Sequence, residues 1–216
     1  MWSNYKYPQS IWAKRIAKHL KHDLNTIDSI VDAPAGNGLM GYLMSKAFIT
    51  SNCTLIDINT DLLQSPYIQG QNIQAKIQDL NETPLPQSTV WLMINSLYCL
   101  NHAADIVNNN AKSFITIVFV LPKTNRINYR IFIKSNPGFS NPSVMSHQAL
   151  SALMSENGFK EIVNEGLIKC PNHLFQPVLS FLKLPLAFQN KLYYCLDRLL
   201  FFLPNQYEII IYKAHA

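Results

Sequence analysis

The residues that could do chemistry in this 216-residue chain are acids placed at the ends of apolar runs. Asp32 closes Ser29-Ile30-Val31, Asp57 closes Cys53-Thr54-Leu55-Ile56, and Asp79 follows Ala75-Lys76-Ile77-Gln78. Such short apolar runs read as strands, the first two buried. Pro34, Gly36 and Gly38 come directly after Asp32, and residues from Leu39 to Phe48 then take a helical pattern. A strand, a glycine turn and a helix N-terminus make a cradle for a nucleotide-like ligand. Glycine lets the backbone approach closely, and the unpaired N–H groups of the first helical turn point at the ligand. An acid at the end of the neighbouring strand can accept both hydroxyls of a ribose, and Asp57 holds that place.

Gly36-Asn37-Gly38-Leu39-Met40-Gly41 matches the dinucleotide pattern G-x-G-x-x-G literally, a weak signal when it stands alone. Asp32 argues against that ligand, because a fixed carboxylate beside the turn would repel a diphosphate. A cationic ligand would instead welcome the charge, and S-adenosylmethionine carries a sulfonium and an ammonium and no phosphate. Val31-Asp32-Ala33-Pro34-Ala35-Gly36-Asn37-Gly38 resembles the first motif of the class I S-adenosylmethionine-dependent methyltransferases, which runs apolar, acidic, apolar, Gly, x, Gly, x, Gly. Pro34 departs from it in place of the first glycine. Proline lacks an N–H and fixes φ, so backbone contact there must differ.

The resemblance implies a cofactor-binding set of Asp32, Ala33, Gly36, Gly38, Asp57, Ile58, Asp79, Leu80 and Asn95. In that family an acid at the position of Asp79 meets the adenine amino group, and the next N–H, here that of Leu80, meets a ring nitrogen. Val90-Trp91-Leu92-Met93-Ile94-Asn95 reads as the fourth strand, ending beneath the transferable methyl. The family usually starts this strand with an aspartate, and Trp91 departs from that. Neither Asn-Pro-Pro-Tyr nor a Pro-Cys pair is present, which argues against a nucleic-acid base as acceptor. Tyr98, His102 and His147 are candidates for substrate contact or proton acceptance, beside the ordinary roles of core tyrosine and helix-capping histidine.

Elements must carry these residues. Ser10 can cap an N-terminal helix over 10–23, with Ile11, Trp12, Ile16, Ala17 and Leu20 near 3.6 spacing. The resemblance implies that this helix covers the cofactor. Asp61 opens the next helix as a charge partner of its N-terminus. Phe114 to Leu121 is the most apolar run and fits a central strand covered on both faces. A long loop with Lys123, Arg126, Arg130 and Lys134 follows. Ser146 caps a helix ended by Gly158. Phe159 to Ile168 and Tyr207 to Lys213 read as two closing strands, matching the family's terminal hairpin. Between them an apolar, helical insert over about 172–204 leaves three roles open: a lid over an apolar substrate, a dimer surface, or a peripheral membrane contact. A lid or substrate-domain helix is the preferred one.

Composition supports one globular α/β domain over 1–216: 48% of residues are hydrophobic and only 14% charged. The formal charge of +5 mildly favours an anionic partner, but the basic residues are scattered along the sequence rather than banded. Cys53, Cys99, Cys170 and Cys195 show no metal-ligand spacing, so no metal is expected, and nothing demands a disulfide. The N-terminus lacks a signal-peptide shape and no apolar run reaches spanning length, so a cytoplasmic location is expected.

The fold expected is a three-layer αβα Rossmann-like sheet of seven strands, mostly parallel, with an antiparallel terminal strand. The function expected is methyl transfer from S-adenosylmethionine to a small-molecule or lipid-like acceptor. The rivals are a non-catalytic protein of the same fold acting in an assembly, which the departures at Pro34 and Trp91 keep open, and a dinucleotide-dependent oxidoreductase.

Overall fold

Side-chain alternation along each strand sorts the core to two faces of one sheet. On one face lie Ile30, Leu55, Val90, Leu92, Val118, Val120, Ile209 and Ile211, packed against helical residues such as Trp12, Ile16, Leu43 and Tyr193. On the other lie Val31, Ile56, Trp91, Met93, Ile117, Phe119, Ile210 and Tyr212, packed against Ile106, Val107, Leu150 and Met154. The result is a sheet between two helical layers, in a computed structural model that describes residues 7–24, 26–49, 51–69, 72–97, 100, 102–123, 146–169, 184–200 and 202–215.

In chain order the elements are α1 (Tyr7–Asp23), β1 (Ser29–Asp32), α2 (Leu39–Ala47), β2 (Asn52–Asp57), β3 (Ile73–Ile77), β4 (Ser88–Ile94), α3 (Ala103–Asn110), β5 (Phe114–Pro122), α4 (His147–Glu156), β6 (Phe159–Leu167), α5 (Leu186–Leu199) and β7 (Tyr207–Ala214). Short 3-10 turns at Thr60–Gln64 and Pro66–Ile68 replace a full helix after β2. Asp61 lies in the first of these, which Asn59 caps by accepting from the Asp61 N–H.

The strands run in the order β3-β2-β1-β4-β5-β7-β6. The pairs among β1 to β5 are parallel, and β7 is antiparallel to both β5 and β6. This is the expected Rossmann-like α/β sheet with one reversed strand. From β1 the chain winds outward to β2 and β3, then returns to place β4 on the other side of β1. That reversal opens a crevice at the carboxyl ends of β1 and β4, where ligands of such sheets bind.

α1 starts at Tyr7, three residues before the Ser10 cap expected from the sequence. Pro8 suits a first helical turn, where its missing N–H goes unused. Trp12, Ala13, Ile16, Ala17 and Leu20 are buried, while Lys14, Arg15 and Lys18 face solvent. Ser146 caps α4 as expected, its hydroxyl accepting from the Ala149 N–H. The insert is helical over Leu186–Leu199. Its first half (170–183), Tyr98, and Arg126, Arg130 and Lys134 lie outside the described residues.

Candidate functional site

Three strand ends meet at a cavity of about 500 Å³. β1 supplies Asp32, β2 supplies Asp57 with Ile58 following it, and β4 supplies Ile94 with Asn95 and Ser96 beyond its end. Pro34, Ala35, Gly36 and Asn37 form the floor loop, Leu39 and Met40 come from α2, and Leu100 closes one side. Gln9 and Trp12 of α1 complete the wall. The volume lies within the range of pockets that enclose a cofactor or drug-sized ligand.

The floor loop is fastened to β2 by its own backbone. The Ala35 N–H donates to the Ile56 carbonyl at 2.8 Å, and the Gly36 N–H donates to Asp57 Oδ2 at 2.7 Å. The other Asp57 oxygen accepts from the Asn59 N–H at 2.9 Å. Each carboxylate oxygen has a second lone pair, so Asp57 retains capacity for two hydroxyl donors. Gly36 and Gly38 have φ of 56° and 76°, a left-handed backbone that favours glycine. A Cβ on Gly38 would stand 2.8 Å from the side chain of Leu55. Gly41 is needed for a different reason: its α2 backbone packs directly on Leu55, and a Cβ there would also stand 3.1 Å from the Asp32 carboxylate.

Asp32 is buried, and its Oδ2 accepts from the Gly41 N–H at 2.7 Å. Burial pushes its carboxyl up to about 8. The Gly41 hydrogen bond opposes this rise, and the nearby charge of Asp57 adds to it. Trp91, the departure from the family pattern, has a clear local task. Its indole N–H donates to the Ala33 carbonyl at 2.8 Å, and its ring stacks on Phe114 with centres 5.1 Å apart. It thereby anchors the start of the floor loop, where the Ala33–Pro34 peptide is cis.

Four wall residues hold buried polar atoms with no hydrogen-bond partner among the described residues: Gln9 Oε1, Trp12 Nε1, Asn95 Oδ1 and Ser96 Oγ. Buried polar groups are normally paired, so a convergent set of unpaired ones marks a place for a ligand with complementary groups. Among the described wall residues, Asp32 and Asp57 are the only ionisable side chains.

No family model matches the sequence, and no curated protein matches it either. Solved structures do match. The plantazolicin methyltransferase BpumL, in complex with S-adenosylhomocysteine, superposes with a TM-score of 0.64 at 13% identity, over 97% of this chain and 85% of that one. The magnesium protoporphyrin IX methyltransferase ChlM from Synechocystis PCC 6803, with bound S-adenosylhomocysteine, gives 0.62 at 11% identity over 95% and 82%. A SAM-dependent methyltransferase from Archaeoglobus fulgidus gives 0.63 at 16% identity over 95% and 94%. The chain has the class I methyltransferase fold.

Within this methyltransferase fold the residues singled out in the sequence fall into distinct places. Asp32, Gly36, Asp57, Ile58 and Asn95 line the cavity. Ala33 and Gly38 lie buried beneath it, one anchored by Trp91 and the other at the start of α2. Asp79 sits in the turn after β3 and accepts from the Asn81 backbone and side chain at 2.8 and 2.9 Å, while Leu80 is buried in the core. Neither is a wall residue of the cavity. His102 stands exposed at the N-terminus of α3, 3.7 Å from Asp105. His147 binds Glu161 of β6 at 2.6 Å, away from the cavity wall. Gln9, Trp12 and Ser96 join the wall without having been marked by any motif. The resemblance gave α1 as a whole the task of covering the cofactor, while the apolar spacing put Trp12 on its core side.

Proposed function

We propose that the protein transfers a methyl group from S-adenosylmethionine to a small-molecule or lipid-like acceptor. The observation that carries this reading is the wall of the cavity: two carboxylates, no cation among its described residues, and four unpaired buried polar atoms. Such a wall suits a cationic adenosyl ligand and disfavours a diphosphate. The cofactor, when bound, supplies an electrophilic methyl on a good leaving group.

The chain's own residues then have defined tasks. Asp57 accepts from ribose hydroxyls through the lone pairs left free by Gly36 and Asn59. Asp32 places beside the floor loop a carboxyl that a cationic ligand draws into its charged form. Asn95 and Ser96 present polar atoms at the end of β4. Gln9 and Trp12 wall the cavity from α1 and shield part of it from water, which helps hold two reactants in line. Trp12, Met40, Ile94 and Leu100 give the cavity wall an apolar part that suits an apolar acceptor. Two of the structural neighbours are named for plantazolicin and for magnesium protoporphyrin IX, and the second name accords with a small-molecule acceptor.

Calorimetric titration with S-adenosylmethionine, S-adenosylhomocysteine and NAD, on wild type and on Asp57→Ala, tests the reading. Saturable binding of both adenosyl ligands, absent for NAD and weakened at least about tenfold in the variant, is expected from losing charge-assisted hydrogen bonds. Preference for NAD would replace the proposal with the oxidoreductase, and adenosyl binding without turnover on any acceptor would leave a binding protein.

A further inference from the structure

α5 turns an unusual face to solvent. Its inner side packs on the core through Leu192, Tyr193 and Leu196. Its outer side carries Phe188, Tyr194 and Leu199, which are 49%, 47% and 68% exposed, and Phe202 just beyond the helix is 68% exposed. Lys191 and Arg198 are the charged residues of that outer side, both exposed, and the Arg198 guanidinium lies 4.8 Å from the centre of the Tyr194 ring. The helix has one acid, Asp197, and it is turned inward, where Oδ1 accepts from the Lys169 N–H at 2.5 Å. The outward face is therefore aromatic, aliphatic and cationic, with no acid.

Three occupants can be compared. A lid residue must face the cavity, and these side chains point away from the core that α5 packs on. A second copy meeting this face by a two-fold axis would bring together two faces that each carry Lys191 and Arg198 and no acid, so neither copy's cations would find an opposite charge. An anionic lipid surface satisfies both halves of the pattern: acyl chains take the aromatic and aliphatic groups, and headgroups take the cations. Among the described residues no helix is long and apolar enough to cross a membrane, so α5 would lie on the surface rather than span it.

We infer that α5 docks the protein on an anionic membrane surface through Phe188, Lys191, Tyr194, Arg198, Leu199 and Phe202. α5 contacts α1, which carries Gln9 and Trp12 over the cavity, so docking would bring the cavity wall close to the lipid. The inference stands apart from methyl transfer, since vesicle binding and adenosyl binding are measured separately.

Co-sedimentation with vesicles of phosphatidylcholine alone, and of phosphatidylcholine mixed with phosphatidylglycerol, tests it on the full chain. Wild type is expected on the anionic vesicles, released by high salt, and much less on the neutral ones. Lys191→Glu with Arg198→Glu should lower anionic binding at least about tenfold, and Phe188→Ser with Leu199→Ser should lower it as well. All these residues are exposed, so melting temperatures and S-adenosylhomocysteine titration should match wild type. Equal binding to both vesicle types, or binding to neither, overturns the inference whatever the variants do. A wild-type dimer in sedimentation that Phe188→Ser with Leu199→Ser dissolves, without vesicle binding, would assign the face to a second copy instead.

Discussion

Among the described residues Asp32 has one hydrogen-bond donor on its carboxylate, the Gly41 N–H, and it is 1% exposed. Its carboxyl holds its proton up to about pH 8 in the folded chain, against the ordinary 3.8 of an unfolded one. Between those values the native state binds more protons than the unfolded state, so stability falls as pH rises through the window. Asp32→Asn keeps an oxygen for the Gly41 N–H and removes the charge. Urea denaturation across roughly pH 5 to 8 should show wild type losing on the order of a few kcal/mol, with the variant nearly flat. Adenosyl binding should move the other way. A cation draws the carboxylate into its charged form, so wild type binds more tightly towards pH 8 and releases a proton at neutral pH. The variant should bind more weakly with no such slope. Calorimetry in two buffers of different ionisation enthalpy reads the proton directly, and identical release by both proteins would remove Asp32 from this role.

At the scale of elements, what the sequence shows well is local. Apolar runs of strand length, the acid that closes β1 and β2, and the left-handed glycines of the floor loop follow from short-range pattern, and each appears where the pattern puts it. What it hides is set by partners far along the chain. Trp91 reads as a departure from a motif, yet it donates to Ala33, 58 residues earlier, and holds the floor loop. Gln9 belongs to a stretch that looks irregular and forms part of the wall only because α1 begins at Tyr7. His102 and His147 have chemical residue types without the position: one is exposed at a helix start, the other is bound to Glu161. The lysines of α1 look scattered along the chain, but Lys14, Lys18 and Lys21 converge with Lys46 of α2 around one shallow groove. Trp91→Phe isolates one such distant contact, because phenylalanine can still stack on Phe114 while leaving the buried Ala33 carbonyl without its donor. A loss of about 1–3 kcal/mol in urea unfolding is expected, with weaker adenosyl binding because the floor loop is less well held. Unchanged stability would mean that the loop is held by β2 alone.

At the scale of the whole molecule, the cavity joins parts that sequence separates. Its walls come from α1, the floor loop, the end of β2 and the segment after β4, and each of these is packed on a different part of the sheet. A ligand that fills the cavity therefore binds the folded chain and not the unfolded one, and its binding energy adds to global stability. At about a hundredfold over its dissociation constant this is about 2.7 kcal/mol, and for a chain of this size each kcal/mol raises the melting temperature by roughly 2–4 °C. S-adenosylhomocysteine at that level should raise the midpoint by roughly 5–10 °C. NAD should leave it unchanged, since the described wall offers its diphosphate no cation. Lys191→Glu with Arg198→Glu should show the full shift, because α5's outer face lies outside the wall. Asp32→Asn should show less at equal ligand, in proportion to its weaker binding. A shift confined to one spectroscopic probe, such as the tryptophan signal without the far-ultraviolet one, would mean that ligand orders α1 locally. Coincident shifts in both would show that the cavity ties α1 to the sheet as one cooperative unit.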